Sequence, residues 1–460
     1  MKTKTWMMAG LVALSLSFTA CEEENNGGNG TPEEGPEIED VQGNVSGVWT
    51  KNSVVRVSGH ITVPEGESLV IEEGVKVIFS SNGVGVSHTP IEFILDGNLY
   101  CQGTKENPVL LSVEENERTK ENAFAGLWGG IVATDKCGEF VIDNTVIEYT
   151  GGAVLKDSPS AVKGIYEAGE DFDPQITTNN VNGRYVVTNS VLRYGASDAI
   201  YMMGGNGIIT NNKFYANGSD GGEAVNVKAG CKVDVAQNIM YSPNTNGLKL
   251  SSSGQNDEGG RAQAMVRAYN NTIINAGWRR DGVKGGCIYV EKNALVSVFN
   301  NLLVNCKFKA MTPSWEIPNN PEEGYADASV IDYNYYAAGK SESTLDQDVA
   351  DGTTNAFLGY TLPNEKYSPN VDLHSVVSAS AGDDATDPKF VNFPYNTNPL
   401  TSYVYDENWD FHLTADSPAL KGAYSGNDEK MQPYFAGGMT VNGKNYVSPT
   451  PQPWFGAFGK

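Results

Sequence analysis

Basic residues are scarce in this chain, and the shortage excludes two classes of partner. Of the 460 residues, 32 are Lys or Arg and 56 are Asp or Glu, which gives a formal net charge of −24. Because phosphate groups attract Lys and Arg, this balance disfavours nucleic acid and anionic lipid surfaces as partners. After residue 20 the sequence has no uninterrupted apolar run of about 18 residues, so we expect no membrane-spanning helix there.

Helical patterning and histidine are also in short supply. No stretch after residue 20 combines the length and the 3.6-residue period of a convincing helix. Four histidines are present, and they form no Cys–His nucleophile arrangement. What the chain has instead is short alternating runs of β-branched and aromatic residues, separated by turns rich in Gly, Asn and Ser. The sequence therefore predicts an all-β protein with many tight turns.

Residues 187–310 repeat one pattern, in which an Asn precedes a short strand and a second strand follows. The recurring residues are Asn189, Asn212, Asn238, Asn271 and Asn301, with Asn144 and Asn334 extending the series. Self-similarity at this period predicts stacked coils, because one coil cannot bury its apolar side alone. An Asn at a fixed turn can adopt the left-handed conformation and hydrogen-bond its neighbours along the stack. We therefore expect these residues to form a structural ladder without a catalytic role.

At this point the sequence resembles the right-handed parallel β-helix family, which has the pectate-lyase-like fold. Residues 61–75 are similar to the opening coil of many bacterial β-helices, and the Trp-Gly-Gly-Ile of residues 128–131 also recurs in that family. Segments 387–392, 410–413 and 455–459 are similar to a closing coil, which would cover the open edge of the stack and make His412 structural. The resemblance implies a single β-helix solenoid with loop insertions.

The amino terminus has the features of an exported lipoprotein. Lys2 and Lys4 precede an apolar segment, and residues 18–21 resemble a lipoprotein cleavage box that ends at Cys21. The acidic residues 22–24 are similar to the surface-export signal of certain Gram-negative outer-membrane lipoproteins. We predict a signal peptide over 1–20, a lipidated Cys21 with a flexible acidic linker over 21–43, and one β-helix domain over 44–460. The expected location is the cell surface, through a lipid anchor in the outer membrane.

The remaining cysteines are odd in number and match no zinc motif. They are Cys101, Cys137, Cys231, Cys287 and Cys306. We interpret them mainly as small apolar core residues, while a disulfide between neighbouring coils stays open in an oxidising compartment. The sequence predicts no cofactor and no metal site; Ca²⁺ has no recognisable cage of ligands.

Several coils are lengthened by polar insertions. These span residues 156–183, 253–263, 278–286, 312–328 and 338–384. In repeat proteins such insertions lie at fixed corners and often frame one binding face.

The second strand of each coil predicts an outward strip of polar and aromatic side chains. Alternation with period 2 points Ile200, Val225, Leu248, Ile288 and Phe308 inward. The outward columns are Tyr201, Asn226, Lys249, Tyr289 and Lys309, and then Met203, Lys228, Ser251, Glu291 and Met311. Five strands spaced by ~4.8 Å make a strip about 20 Å long, comparable to a short oligosaccharide. Tyr rings stack on sugars, and Asn and Lys bind hydroxyls or carboxylates, so we predict ligand binding here. The predicted binding residues are Tyr201, Asn226, Lys228, Lys249, Tyr289, Glu291 and Lys309.

Catalysis along this strip is weakly supported. Asp198 and Glu223, at equivalent turn positions, are the best carboxylate pair for a glycoside hydrolase. Lys249 is the candidate base for a polysaccharide lyase, with Lys228 or Lys309 binding the uronate carboxylate. The clustered Asp, Gly-His-Gly and Arg-Ile-Lys of polygalacturonases are absent, and no lyase motif matches.

Two hypotheses follow. The leading one is a non-catalytic surface lipoprotein that binds a polysaccharide or an outer-membrane protein partner, or serves as a structural component. The alternative is a polysaccharide lyase or glycoside hydrolase that acts on an acidic glycan.

Overall fold

Each turn of the chain contributes three short strands, and successive turns stack in parallel register to form a right-handed β-helix. We describe it from a computed structural model, in which residues 35–219, 221–255, 260–280, 285–308, 310–313, 329–339 and 372–460 are described. The predicted all-β solenoid is confirmed. One long strand, β3 (Val54–Val63), bends across two faces, pairing with different strands at its two ends.

The three faces of the solenoid are numbered here for reference. Face 1 continues from the end of β3 and comprises β6 (Phe93–Leu95), β9 (Ile131–Ala133), β12 (Ile176–Thr178), β15 (Ile200–Met202), β18 (Val225–Val227), β21 (Leu248–Ser251), β24 (Ile288–Glu291) and β27 (Met311–Pro313). Face 2 comprises β2 (Gly47–Trp49), β4 (Ser68–Glu72), β7 (Asn98–Gln102), β10 (Glu139–Asp143), β13 (Arg184–Thr188), β16 (Gly205–Thr210), β19 (Cys231–Ala236), β22 (Met265–Tyr269), β25 (Leu295–Phe299) and β28 (Val330–Ile331). Face 3 continues from the start of β3 and comprises β5 (Lys76–Phe79), β8 (Val109–Ser112), β11 (Thr145–Glu148), β14 (Val191–Arg193), β17 (Lys213–Tyr215), β20 (Ile239–Tyr241), β23 (Thr272–Ile274), β26 (Leu302–Val304), β29 (Tyr335–Ala337) and β30 (Val376–Val377).

Helices in the described residues are short. One turn of α-helix, α1, spans Pro159–Val162, and 3₁₀ turns span Glu115–Glu117, Asp384–Thr386, Pro418–Leu420 and Glu429–Met431. None of these is long and apolar enough to cross a membrane.

The first strand begins earlier than the sequence predicts. β1 (Glu37–Asn44) pairs in parallel with β3, although residues 37–43 were assigned to the flexible linker. Most of its side chains are exposed, so backbone hydrogen bonds rather than apolar burial hold it. A strand of that kind has no hydrophobic alternation for a sequence reading to detect.

The predicted Asn ladder is present, but two of its predicted members, Asn144 and Asn189, lie outside it. The side-chain amides of Asn212, Asn238, Asn271 and Asn301 each donate to the next Asn in the stack, over 2.9–3.1 Å, ending at Asn334. In the coil before Asn212 the ladder position belongs to Ser190, whose N–H donates to Asn212 Oδ1. Asn189 and Asn144 lie one position earlier in their turns, at φ of 52° and 45°. The left-handed turn and the ladder are therefore made by adjacent residues.

The carboxy-terminal segment does more than the coil closure predicted for it. It includes two antiparallel pairs, β31 (Phe390–Asn392) with β32 (Asp410–Leu413) and β33 (Met439–Val441) with β34 (Lys444–Tyr446). Against face 3, the ring of Tyr405 stacks on Tyr215 at 3.8 Å between centroids. Against face 2, Asp234 accepts hydrogen bonds from the backbone N–H groups of Tyr434 and Phe435 and from Ser448 Oγ. The segment thus covers the outward sides of both faces.

The cysteines divide into two groups. Cys101, Cys137 and Cys231 are free and buried, as predicted for core residues. For Cys287 and Cys306 that interpretation is wrong, because they form a disulfide with Cα atoms 5.9 Å apart. Cys287 immediately precedes β24 and Cys306 follows β26, so the bond joins neighbouring turns of the solenoid.

Candidate functional site

The predicted strip lies on the outward side of face 1. Strand pairing places Tyr201 opposite Asn226, Asn226 opposite Lys249, and Lys249 opposite Tyr289. Their inward neighbours, such as Ile200 and Leu248, are fully buried, because alternation along each strand sends one side chain into the core and the next to the surface. We call Tyr201, Asn226, Lys228, Lys249, Tyr289 and Glu291 the strip.

The last predicted member of the column is displaced. β24 pairs with β27 so that Tyr289 faces Thr312, the place assigned to Lys309. Residue 309 lies outside the described residues. β26 ends at Val304 and β27 begins only at Met311, so the strand starts three residues later than a prediction with Phe308 as its first inward residue. For the same reason Met311, predicted to point outward, is the buried partner of Ile288, and Phe308 lies in the preceding turn.

Each exposed tyrosine of the strip has a lysine beside it. Lys228 Nζ lies 5.5 Å from the centroid of the Tyr201 ring, and Lys249 Nζ lies 5.9 Å from that of Tyr289. Lys249 is also 3.7 Å from Glu291 Oε1, which accepts a hydrogen bond from Ser251 Oγ. Burial lowers the pKa of Lys228, and the neighbouring charge of Lys249 lowers it further. The strip therefore combines aromatic faces with two amines, and the pKa of one amine, Lys228, is lowered.

Asp198 and Glu223 are adjacent, as the sequence suggested, and they belong to a ladder of hydrogen bonds. Glu223 N–H donates to Asp198 Oδ1 over 2.7 Å, and Asn226 Nδ2 donates to Asp198 Oδ2 over 2.9 Å. Asn246 Nδ2 donates to Glu223 Oε1 over 3.1 Å. Asn246 takes the next place in the same column, and its Oδ1 accepts from the backbone N–H of Gly286.

The pKa values of the two carboxyl groups are shifted in opposite directions. Burial raises the pKa of Asp198 well above its usual range, and the charge of Glu223 and a hydrogen bond to it add to the effect. Burial also acts to raise the pKa of Glu223. The hydrogen bond from Asp198, the charge of Lys249 and the hydrogen bond from Asn246 outweigh it, so the pKa of Glu223 is lowered. These opposite shifts favour one proton held on Asp198, with the charge on Glu223.

This geometry does not suit glycoside hydrolysis. The carboxyl pair of a retaining enzyme is about 5–5.5 Å apart and that of an inverting enzyme about 6.5–9.5 Å apart, with the scissile bond between them. Asp198 and Glu223 are hydrogen-bonded to each other, and their exposed fractions are 8% and 9%. They fit better as supports that orient Asn226 and hold a negative charge near Lys249.

An insertion that the sequence treated only as a loop covers one end of the strip. Residues 153–173 contain α1 and pack over the outward side of β6, β9 and β12. Lys163 Nζ lies 2.9 Å from Asp96 Oδ2, and Tyr166 Oη lies 2.6 Å from Thr177 Oγ1. Thr177 occupies the position next to Tyr201 in the outward column and is fully buried.

The boundaries of this insertion were predicted incorrectly. The predicted range of 156–183 includes β12, whose three residues pair with Ile131 and Val132 on one side and Ile200–Met202 on the other. Asp and Pro before this short strand, and Asn and Gly after it, concealed it. Tyr166 was not recognised as a neighbour of the site, since no local pattern links it to Thr177 or Tyr201.

Metal-binding geometry is lacking among the described residues, where no three His, Cys, Asp or Glu side chains are grouped to hold an ion.

Comparison with known proteins agrees with the architecture. Residues 176–316 match a family model described as a right handed beta helix region. That range begins at β12 and includes every residue of the strip. No curated protein and no solved structure matches the chain. The chain therefore carries a right-handed parallel β-helix region, and its strip lies within the matched residues.

Proposed function

We propose that the strip binds a glycan on the side of an exported β-helix. The observation that carries this proposal is the pairing of partly exposed Tyr201 and Tyr289 with Lys228 and Lys249 in one column of face 1. Three strand spacings separate the two rings, about 14 Å, which suits several consecutive sugar units. Tyrosine rings offer apolar faces for sugars, and the lysines offer hydrogen bonds and charge.

The preferred ligand carries acidic groups. The protein has a net charge of −24, yet the strip presents two lysines. An anionic polymer is repelled by most of such a surface, and paired amines give it one favourable place to bind. A carboxylate or sulfate between Lys228 and Lys249 would also relieve the repulsion between the two amines.

A second candidate function is lyase chemistry at the same strip, favoured by the lowered pKa of Lys228. A neutral lysine can take the proton from the carbon next to a uronate carboxylate. The electron pair of that C–H bond then forms a C=C bond as the glycosidic oxygen departs. The sequence predicts Lys249 as the base, but the lowered pKa favours Lys228 in that role, and Lys249 would then bind the carboxylate. Hydrolysis has less support because of the short Asp198–Glu223 contact.

The test is incubation of the purified protein with a panel of acidic and neutral polysaccharides. Unsaturated uronate absorbance and new reducing ends are followed, with affinity gels run in parallel. Retardation without products supports a binding protein. New absorbance supports a lyase, and reducing ends without absorbance support a hydrolase. The absence of all three signals would reject glycan binding in favour of a structural role or a protein partner.

We also propose that the chain is anchored through a lipid on Cys21 and displayed at the cell surface. The charged start, the apolar segment and residues 18–21 support this location. The Cys287–Cys306 disulfide adds support, since such bonds persist in oxidising compartments. Metabolic labelling with a radioactive fatty acid should mark the wild-type chain and fail to mark Cys21→Ala. Protease digestion of intact cells tests display, and a chain that stays protected until the cells are lysed would contradict it.

A further inference from the structure

One buried side chain contacts the insertion of residues 153–173 at two places, in α1 and at its last residue. Glu92 accepts hydrogen bonds from the N–H and the Oγ of Ser160, each over 2.7 Å, at the start of α1. The Glu92 carboxyl also meets that of Asp173, where the insertion ends. Glu92 is 0% exposed and Asp173 is 1% exposed. Within the described part of the chain, neither Asp173 oxygen receives a hydrogen bond from any other group.

These two carboxyl groups occupy a tightly filled space. A Cβ added to Gly129 would lie 2.6 Å from Asp173 Oδ2 and 2.9 Å from Glu92 Cγ. The side chains cannot separate within that space, so relief of any repulsion between them requires the insertion to move. Gly129 lies just before β9, and that strand is held in register on both sides.

The surroundings leave the pair without a compensating charge at neutral pH. The groups that face it are Ser158, Ser160, Tyr166 and Asp171 from the insertion and His60 from β3, whose Nδ1 accepts from the Glu92 N–H. Burial lowers the pKa of His60, so this ring is neutral. Burial raises the pKa of Glu92, and it raises that of Asp173 further with help from the charge of Glu92. Two such groups hold one proton between them.

We infer that residues 153–173 form a pH-dependent cover over one end of the strip, closed while Glu92 and Asp173 share a proton and released when both are ionised. Ionisation of both groups weakens the contacts of the insertion at Ser160 and at Asp173 together, because Glu92 makes both. The contacts of Lys163 with Asp96 and of Tyr166 with Thr177 then have to hold the insertion against the repulsion.

Opening the cover would lengthen the strip. Ile94, Val132, Thr177 and Tyr201 are consecutive residues of one outward column. The first three are buried, and Thr177 contacts Tyr166 of the insertion, while Tyr201 is partly exposed. In the closed state the strip ends at Tyr201, and in the open state it continues to β6. This inference concerns the cover and holds whichever ligand the strip binds.

Hydrogen exchange of the purified protein, followed from neutral to alkaline pH, tests the inference without a ligand. Protection factors, corrected for the intrinsic pH dependence of exchange, are compared between residues 153–173 and strand β13. In the wild type we expect protection of the insertion to fall roughly tenfold per pH unit once the pair begins to lose its shared proton. Protection of β13 should stay constant.

Substitutions separate the carboxyl pair from the other contacts. In Glu92→Gln the amide donates to Asp173 without a shared proton, so the insertion should stay protected at every pH. Asp173→Asn should also keep the insertion protected at every pH, and it replaces Glu92→Gln in the test if that variant does not fold. Lys163→Gln, which removes an exposed ion pair, should lower protection equally at all pH values and keep the wild-type slope. A flat wild-type profile, or a wild-type slope retained in both carboxyl variants, would overturn the inference.

Discussion

Face 1 and face 3 share one backbone geometry but differ in what their outward side chains do. On face 3 several of these residues are apolar, including Tyr215, Ile239 and Ile274, and are buried beneath the carboxy-terminal segment. On face 1 the corresponding residues include Lys249 and Tyr289, which remain partly exposed. The fold supplies three equivalent outward surfaces, and side-chain chemistry alone decides which one packs and which one binds.

The carboxy-terminal segment covers face 2 as well, and there it is held by hydrogen bonds to the carboxyl group of Asp234. Asp234 points outward from β19, is fully buried and accepts three hydrogen bonds from the carboxy-terminal segment. Asp198 and Glu223 on face 1 are also buried, yet they bind neighbouring strands of their own face. The difference indicates that face 2 uses its carboxylate for packing, whereas face 1 uses its carboxylates to support an exposed surface.

A substitution that disrupts the contact between face 2 and the carboxy-terminal segment should have the largest effect on stability. Replacing Asp234 with Ala leaves two backbone N–H groups and the Ser448 hydroxyl without their acceptor in a buried place. We expect a loss of about 3–5 kcal/mol in the free energy of unfolding, measured by urea denaturation. The exposed Asp135→Ala should change it by less than about 0.5 kcal/mol. Equal effects of the two substitutions would mean that the segment is not held through Asp234.

Removing the disulfide should have the next largest effect on stability, because the bond links two neighbouring turns of the solenoid between face 3 and face 1. The double variant Cys287→Ser, Cys306→Ser should lose about 3 kcal/mol of unfolding free energy.

Burial raises the pKa of Cys101, Cys137 and Cys231 to about 12 in each case. These thiols should therefore resist a thiol reagent until the protein unfolds. Rapid labelling of the native wild type at several sites would contradict this assignment.

The shared proton on face 1 predicts a pH dependence of stability. The folded-state pKa of Asp198 is raised, so its contribution is complete below the unfolded pKa and is lost as pH rises through the folded pKa. Over that window Asp198→Asn should reduce the fall in unfolding free energy by about 1.4 kcal/mol per pH unit. Urea denaturation at a series of pH values measures the two slopes. Identical slopes would show that Asp198 does not keep the proton.

Removal of one lysine charge from the partly exposed strip should have the smallest effect, and it should act on binding. Lys249→Gln should weaken binding of an acidic polysaccharide by about 1 kcal/mol and reduce the sensitivity of binding to salt. Lys232→Gln is its counterpart on face 2, where Nζ lies 4.9 Å from the Tyr434 ring in the carboxy-terminal segment. Affinity gels at several salt concentrations should separate the two. Equal weakening would place the ligand elsewhere than on face 1.

Local sequence predicted the strip well because alternation is a property of the backbone. From Tyr201 to Tyr289 each predicted outward residue lies in register with the next. Register was lost at Lys309, where the length of a turn rather than a strand decides the position. The ladder was misread at Asn189 for a related reason: two adjacent turn positions both accept Asn, and a sequence gives no sign of which one joins the stack.

Contacts between segments that are far apart in the chain could not be predicted from local sequence patterns. Nothing near Asp234 indicates that residues 434–448 will bind it, and nothing near Glu92 indicates Asp173. The proton shared by Asp198 and Glu223 depends on burial, which a turn sequence does not reveal. The same applies to the cover over Thr177, since Tyr166 reaches it from within an insertion without strand or helix patterning.

The most direct test of the binding face removes its two tyrosines. Affinity gels containing each polysaccharide of the panel are run with the wild type, with the Tyr201→Ala, Tyr289→Ala double variant and with Tyr446→Ala. Tyr446 is the matched control, because Lys444 Nζ lies 4.6 Å from its ring on the β33–β34 hairpin. We predict that an acidic polysaccharide retards the wild type and Tyr446→Ala but not the folded double variant. Equal retardation of all three proteins, or of none, would contradict it.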